Sequence, residues 1–274
     1  MLKREVTEAI RIARGAGTIL MDVYATDFSV AYKAKADPVT EADTRANAYI
    51  VEELRKSFPG DGIVAEESKD QSDALATGRC WYVDPVDGTR EFVARNGEFA
   101  VMLGLAIDGE AHVGVVFQPV TDKLYAGVVG VGATLEQHGA RRDIRVSEIS
   151  DPGELKLVVS RSHRNRAVGK VVDQLGISKE TRIGSVGLKA GLIAERAADL
   201  YVHISDKSSA WDACGPEAIL RAAGGRFTDL AGDPYHYGGT DMRNRTGILA
   251  CNAAAYDAVL PLARQAARAT GLIE

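Results

Sequence analysis

The sequence predicts a mixed fold of two packed subdomains, an α+β unit over residues 1–145 and an α/β unit over residues 146–274. Two observations predict it. In the first part, helical periodicity is followed by apolar strands that run into acidic loops, and then by a meander. Beyond residue 153, strand-like and helix-like segments alternate, which is typical of an α/β unit. A chain of 274 residues is long enough for two such units of about 130 residues each.

The first subdomain opens with two predicted helices. Apolar or small residues at intervals of three and four form one face of the first helix. They are Val6, Ile10, Ala13, Gly17, Leu20 and Tyr24. A second helix is predicted to start near Thr40 and to stop at Pro59-Gly60. The segment 30–39 between these helices is expected to be an extended, polar connection.

Strands are predicted next. GIVAEES (62–68) and CWYVDPVDGT (80–89) each read as an apolar strand that enters a carboxylate-rich turn. The apolar runs on either side of Asp108-Gly109 predict a β-hairpin, and KLYAGVV predicts a third strand beyond it. The second subdomain is expected to contain strands in 155–160, 181–185, 200–204 and 248–252, and helices in 166–175, 191–198, 211–225 and 253–270.

Composition excludes several classes of protein. The net charge of −5 argues against a protein that coats nucleic-acid polymers or binds anionic membranes, because both need basic surface. The three cysteines, Cys80, Cys214 and Cys251, form no C-x-x-C pair, so we expect them to be core residues in a reducing cytoplasm. The N-terminus has no signal-peptide core, and no apolar run reaches the roughly 20 residues of a membrane span.

The most informative residues are carboxylates at predicted strand ends. Asp84 and Asp87 stand three apart in DPVDGT, with Pro85 between them and Gly88 after them. Such a turn can direct both carboxylates and the carbonyl of Val86 towards one point. Hard cations such as Mg²⁺ bind oxygen ligands of this kind, and Asp84 could bridge a pair of cations.

Each acidic motif also has an ordinary structural interpretation. D-x-x-D-G is a common turn sequence, and Glu66-Glu67 could be surface charge. Thr40 and Asp43 could form a helix cap, and an acid such as Asp212 is favoured at a helix start. The occurrence of all four motifs in one chain favours a metal site over four unrelated turns and caps.

The chain resembles the lithium-sensitive, metal-dependent phosphomonoesterases of the inositol monophosphatase and fructose-1,6-bisphosphatase superfamily over nearly its whole length. The motifs that carry the resemblance are DPVTEAD (37–43), GIVAEES (62–68), WYVDPVDGTREF (81–92) and SAWDACGPEAI (209–219). The signature W-x-x-D-P-x-D-G-T is complete. The resemblance implies a five-layer αβαβα sandwich, a homodimer and two to three Mg²⁺ ions per active site.

The resemblance also implies roles for the acidic residues. Glu66, Asp84 and the carbonyl of Val86 would hold one Mg²⁺. Asp84, Asp87 and Asp212 would hold a second, and Glu66 would help to position a third, weaker one. On this account the first subdomain carries most of the ligands, and the second contributes Asp212.

Further roles follow from the same resemblance. Thr89, together with Asp43 or Glu66, would orient and deprotonate the attacking water. The backbone amides of Gly88 and Thr89 would bind phosphate oxygens, as amides at a helix start can. Glu67 would support the site without being a ligand. The haloacid dehalogenase motif D-x-D-G-T is one residue shorter than the D-x-x-D-G-T of this chain, which argues against that family.

The substrate is suggested by segments outside the signature. They are Arg90-Glu91-Phe92, Asn96-Gly97-Glu98-Phe99, Ser160-Arg161-Ser162-His163 and Gly184-Ser185 with Lys189. These segments are similar to the 3′(2′),5′-bisphosphate nucleotidase branch. The resemblance implies hydrolysis of 3′-phosphoadenosine 5′-phosphate to AMP and phosphate, with Arg161, Ser185 and Lys189 contacting the substrate.

Two alternatives stay open. HISDKSSAWD (203–212) does not clearly match the usual sequence before the late motif for either substrate class, so an inositol phosphate or a sugar phosphate is the alternative substrate. A non-catalytic, metal-binding regulator is the second alternative. Thr89 and the complete set of acids argue against it, because a pure binder does not need a residue that activates water.

Overall fold

A computed structural model describes residues 2–34, 37–68, 75, 77–162 and 166–274. Within these residues the chain forms five layers in the order helices, sheet, helices, sheet, helices. The two main sheets have seven and five strands. This arrangement confirms the five-layer αβαβα sandwich that the resemblance implied.

The elements are numbered in chain order. The helices are α1 (Lys3–Tyr24), α2 (Glu41–Ser57), α3 (Thr89–Val93), α4 (Arg166–Leu175), α5 (Val186–Ala194), α6 (Ala210–Ala222) and α7 (Tyr256–Ala269). The strands up to the middle of the chain are β1 (Val30–Ala34), β2 (Asp37–Thr40), β3 (Gly62–Ala65), β4 (Arg79–Asp87), β5 (Ala100–Ile107), β6 (Glu110–Gln118), β7 (Lys123–Val128), β8 (Gly132–Gln137) and β9 (Ala140–Ile144). The later strands are β10 (Lys156–Ser160), β11 (Lys179–Ile183), β12 (Leu200–His203), β13 (Ser208–Ser209), β14 (Arg226–Thr228), β15 (Arg243–Asn244) and β16 (Ile248–Cys251).

The larger sheet has the strand order β3-β4-β5-β6-β7-β8-β9, and α1 and α2 cover one face of it. Strand β4 illustrates why the sheet is buried on both faces. Trp81 and Val83 point into the core under α1 and α2, whereas Cys80 and Tyr82 point into the core between the two sheets. Alternate residues of a strand face opposite sides of its sheet, so an all-apolar run such as this one predicts cover on both faces.

Helices α5 and α6 form the central layer, and α6 lies directly on the larger sheet. The approach is close because glycines stand where helix and sheet meet. A Cβ atom on Gly114 of β6 would lie 2.0 Å from the carbonyl oxygen of Gly215 in α6. This packing brings the first turn of α6, which contains Asp212, to the end of β4 where Asp84 and Asp87 lie.

The smaller sheet has the strand order β11-β10-β12-β16-β14. Its outer face is covered by α4 and α7, with a core that includes Leu157, Val171, Leu249 and Val259. Strand β10 is parallel to both β11 and β12, so Ser160 and Arg161 come at the carboxyl edge of this sheet. The expected alternation of strands and helices beyond residue 153 is thereby present.

Some elements differ from the sequence-based expectation. The segment expected to be a simple extended connection forms the paired strands β1 and β2, and β8 and β9 extend the larger sheet. Helices α5 and α6 come after residue 145 in the chain, yet both contact the larger sheet. The division into two subdomains near residue 145 therefore stays a prediction.

All three cysteines are buried and free. Among the described helices, none has the length and apolarity that crossing a membrane requires.

Candidate active site

Two carboxylates of the candidate site lie at the end of β4. In a regular strand, side chains three residues apart point to opposite faces. The pairing of β4 with β5 is irregular between Asp84 and Asp87, and a bulge of this kind redirects the strand locally. The backbone N–H of Val86 donates to Asp84 Oδ1 at 2.9 Å, which holds the turn. As a result, both carboxylates face the same cluster.

Asp212 joins these two residues from helix α6. It is the third residue of α6, and its Oδ2 accepts the backbone N–H of Ser209 at 2.6 Å in a capping box. The predicted position of this acid at a helix start is therefore confirmed. Each of Asp84, Asp87 and Asp212 offers a carboxylate oxygen, and these oxygens lie within 4.8 Å of one another. The structure thus brings together three residues that the sequence analysis assigned to one metal ion.

The electrostatics of this cluster are unfavourable without a cation. Burial raises the pKa of Asp84 well above its ordinary value, and the charges of Glu66, Asp87 and Asp212 raise it further. Burial raises the pKa of Asp212 in the same way, with added repulsion from Asp87 and Glu66. Buried like charges of this kind favour protonation or a bound cation. A set of hard carboxylate oxygens fits a divalent cation such as Mg²⁺.

Glu66 comes from the neighbouring strand β3. Its backbone N–H donates to the carbonyl of Val83 at 3.1 Å and so continues the parallel pairing of β3 with β4. Its charge adds to the effect of burial in raising the pKa of both Asp84 and Asp212. Glu67 follows it and is partly buried.

Thr89 and Asp43 form a second part of the site. Thr89 Oγ1 lies 3.1 Å from Asp43 Oδ1 and 3.2 Å from the carbonyl oxygen of Val86. The other oxygen of Asp43 accepts the backbone N–H and the hydroxyl of Thr40, at 2.8 and 2.7 Å. Burial raises the pKa of Asp43 even though these hydrogen bonds act against the rise. The predicted cap and the predicted contact with Thr89 thus occur in the same side chain.

Gly88 turns the chain from β4 into the short helix α3. Its φ of 100° lies in the left-handed region, which glycine adopts without steric cost. A Cβ atom at this position would also lie 3.0 Å from the carbonyl oxygen of Glu98. The tight turn places the amide of Thr89 in the first turn of α3, directly after the acidic cluster.

The three predicted substrate contacts are divided between two places. Ser185 donates to Asp87 Oδ2 at 2.5 Å, and Lys189, only 2% exposed, donates to the carbonyl of Ser185 at 2.6 Å. Arg161 instead donates through Nε and Nη2 to the carboxylate of Glu98, at 2.6 and 2.5 Å. Burial lowers the pKa of Lys189 to about 8, while nearby carboxylates, Asp87 first, oppose the shift. His163 lies outside the described residues.

Sequence reasoning did not identify two carboxylates that contact residues far along the chain. Glu98 also accepts the backbone N–H of Gly184 at 2.8 Å, and Glu91 accepts the hydroxyl of Ser162 at 2.5 Å. Both acids stand in the segment already compared with the nucleotidase branch. Both acids follow the signature closely in the sequence, and this position could have identified them as candidate site residues.

The five-layer fold, the carboxylate cluster and the adjacent Thr89–Asp43 pair define a class of protein, the metal-dependent phosphoric monoester hydrolases. Comparison with known proteins agrees with that class. The model of the inositol monophosphatase family matches residues 2–268, so this chain belongs to that family. The family resemblance stated from the motifs is therefore confirmed.

Individual relatives refine the comparison. The chain is 36% identical over 233 residues to the 3′(2′),5′-bisphosphate nucleotidase CysQ of Escherichia coli K12, and the match covers 84% of this chain and 92% of that protein. A crystal structure of CysQ from Bacteroides thetaiotaomicron superposes with a TM-score of 0.77 at 28% identity, covering 91% of this chain and 97% of that one. The extragenic suppressor protein suhB of Bartonella henselae gives a TM-score of 0.80 at 25% identity, covering 96% and 97% of the two chains.

Proposed function

We propose that this protein hydrolyses 3′-phosphoadenosine 5′-phosphate to AMP and phosphate. The observation that carries the proposal is the cluster of Asp84, Asp87 and Asp212 beside the Thr89–Asp43 pair. The substrate is supported by the similarity to bisphosphate nucleotidases over most of the chain. In the reaction, the oxygen of a water molecule forms a bond to phosphorus, the bond from phosphorus to the 3′ oxygen breaks, and the 3′ oxygen takes up a proton from water to become the hydroxyl of AMP.

We propose that the divalent cations are Mg²⁺, with two to three ions per active site. Their positive charge would lower the repulsion between the phosphate and the nucleophile, and it would lower the pKa of a water molecule. Glu66, Asp84, Asp87, Asp212 and the carbonyl of Val86 would hold them. These residues fit that role because they present hard oxygen atoms, and because burial, with added repulsion from neighbouring carboxylates, raises the pKa of Asp84 and Asp212.

Thr89 and Asp43 would orient the water and accept its proton. Asp43 Oδ2 is occupied by two donors from Thr40, so the carboxylate is held with Oδ1 towards the Thr89 hydroxyl. When the Thr89 hydroxyl donates a hydrogen bond to Asp43, a lone pair on Oγ1 is available to accept a hydrogen bond from water. Burial raises the pKa of Asp43, which makes this carboxylate a stronger base than an exposed one.

Other residues would hold the substrate. The amides of Gly88 and Thr89 are proposed to bind phosphate oxygens at the start of α3. Arg161, 44% exposed in its side chain and at the edge of the smaller sheet, is proposed to reach the second phosphate. Glu67 is proposed to support the site without binding a cation.

Assembly and location are also proposals. We infer a homodimer from the family resemblance alone. The three buried, free cysteines support a location in the reducing cytoplasm.

The test is release of phosphate from a panel of substrates with Mg²⁺. The panel contains 3′-phosphoadenosine 5′-phosphate, inositol 1-phosphate and fructose 1,6-bisphosphate. We expect the highest kcat/KM for the bisphosphate nucleotide. A clear preference for inositol 1-phosphate would assign the protein to the alternative substrate, and no release from any member would favour the non-catalytic regulator.

A further inference from the structure

Ser185 has an unusual backbone conformation for a residue with a side chain. Its φ is 57° and its ψ is 131°, and it stands at the N-terminal cap of α5. A positive φ carries a steric cost for every residue with a Cβ atom, so such a conformation persists only where surrounding contacts hold it. Positions of this kind often occur at functional sites.

Three contacts hold Ser185 in place. Its hydroxyl donates to Asp87 Oδ2 at 2.5 Å and accepts the backbone N–H of Leu188 at 3.0 Å. Its carbonyl accepts a hydrogen bond from Lys189 Nζ at 2.6 Å. Lys189 is itself fixed, because it is buried and its ammonium group lies over the ring of Tyr201, 5.1 Å from the ring centroid.

These contacts determine the orientation of Asp87. The same Oδ2 atom that accepts the Ser185 hydroxyl also accepts the backbone N–H of Gly187 at 3.0 Å. Two donors from the start of α5 therefore hold one oxygen of a carboxylate that belongs to the end of β4. The carboxyl group cannot rotate without breaking both bonds, and partners of this kind tune metal ligands.

We propose that Ser185 is a positioning residue that orients Asp87 for a divalent cation, and that Lys189 acts on Asp87 through the carbonyl of Ser185. The proposal rests on the proposed function, since it takes Asp87 as a ligand. It assigns Ser185 and Lys189 to the support of the metal site, whereas the sequence analysis predicted contact with substrate.

The test uses the full-length protein and two substitutions, Ser185→Ala and Ser185→Gly. Both remove the hydroxyl, and glycine also accommodates the positive φ. Ser147→Ala is the matched control. Ser147 donates at 2.5 Å to Asp199, a buried carboxylate that is not one of the proposed metal ligands. The measurements are Mg²⁺ affinity by calorimetry without substrate, the melting temperature in EDTA, and kcat and KM for the nucleotide.

Both Ser185 variants should bind Mg²⁺ about 10- to 100-fold more weakly than the wild type. Ser185→Gly should melt no lower than Ser185→Ala, because it releases the backbone strain. Ser147→Ala should lower the melting temperature and leave Mg²⁺ affinity within about twofold, since it disturbs no proposed ligand.

Two results would overturn the proposal in different ways. If both Ser185 variants bind Mg²⁺ as the wild type does and only KM for the nucleotide rises, Ser185 contacts substrate and does not position Asp87. If the wild type itself neither binds Mg²⁺ nor releases phosphate, the proposed function fails and this inference fails with it.

Discussion

The hydroxyl of Thr89 lies 3.1 Å from Asp43 Oδ1, although the two residues are 46 positions apart. The contact connects the first turn of α2 to the first turn of α3, next to the acidic cluster. Two backbone features make it possible. Asp43 is held by its capping box with Thr40, and Gly88 turns the chain sharply before Thr89. A helix cap in this protein is therefore also part of the candidate active site.

Thr89→Val should lower kcat by a factor of about 10² to 10⁴, the usual range for loss of general base catalysis. Valine has nearly the same shape but cannot accept a hydrogen bond from water. The measurement is the rate of phosphate release at saturating substrate and Mg²⁺. Thr89→Ser keeps the hydroxyl and should retain most of the activity. A kcat for Thr89→Val within twofold of the wild type would remove Thr89 from the mechanism.

Arg161→Gln should raise KM for 3′-phosphoadenosine 5′-phosphate by about tenfold or more and leave KM for adenosine 3′-phosphate nearly unchanged. The reason is that only the first substrate carries a second phosphate for the guanidinium group. Glu98→Gln is the matched control, because it weakens the pair with Arg161 but keeps the arginine charge. Equal rises in KM for both substrates would mean that Arg161 does not contact the second phosphate and only holds Glu98.

Glu217→Gln should change how stability depends on pH. Glu217 of α6 is 1% exposed and accepts hydrogen bonds from Tyr237 at 2.6 Å and from Arg221 at 3.0 Å. Burial raises the pKa of Glu217 to about 7 from the ordinary value of 4.5. A carboxyl group with a raised pKa contributes stability in full below pH 4.5, and this contribution is lost as the pH rises through 7.

Glutamine does not ionise, so the unfolding free energy of the variant minus that of the wild type should rise with pH. The expected rise between pH 4.5 and 8 is on the order of 3 kcal/mol. Urea unfolding at several pH values measures it. The control is Glu110→Gln, since Glu110 also lies near Arg221 but is 67% exposed, and its unfolding free energy should follow that of the wild type. If the difference in unfolding free energy between Glu217→Gln and the wild type does not change with pH, the pKa of Glu217 is not raised in the folded protein.

Gly114→Ala should lower the unfolding free energy by about 3 kcal/mol or more, because the added methyl group would lie 2.0 Å from the Gly215 carbonyl oxygen. Gly169→Ala in α4 is a control with the opposite sign. A Cβ atom there meets nothing within 4 Å, and alanine favours a helix by about 0.5–1 kcal/mol. If Gly114→Ala and Gly169→Ala have the same unfolding free energy, the close packing of α6 on β6 does not require glycine at position 114.

The spacing of Asp84 and Asp87 within one turn predicted that their carboxylates face one point. The assignment of Asp212 to the same metal ion came from the family resemblance, because Asp212 reaches the cluster only through the packing of α6 on the larger sheet. The Asp43 cap, in contrast, was predicted from local spacing alone. The five-layer arrangement followed from the family resemblance, while composition and periodicity predicted only an α+β unit packed on an α/β unit.

The rest depended on long-range packing that the chain does not express locally. Ser185 reaches Asp87 across 98 positions, and its positive φ carries no sequence signal of the kind that glycine gives. Lys189 was predicted to contact the substrate, yet its side chain is buried, with its ammonium group over the ring of Tyr201. Strand β8 was not predicted, although Ala133 and Leu135 alternate as buried residues.

The most direct test of the account is calorimetric titration of Mg²⁺ into the wild type, Asp84→Asn and Asp122→Asn, with nucleotide hydrolysis measured on the same samples. Asp122 is the control because asparagine also tolerates its positive φ of 48°, and Asp122 pairs with Arg14, away from the cluster. Asp84→Asn should lose at least about 100-fold in both Mg²⁺ affinity and kcat, while Asp122→Asn matches the wild type. Wild-type binding and turnover in Asp84→Asn would contradict the assignment of the acidic cluster as the catalytic metal site.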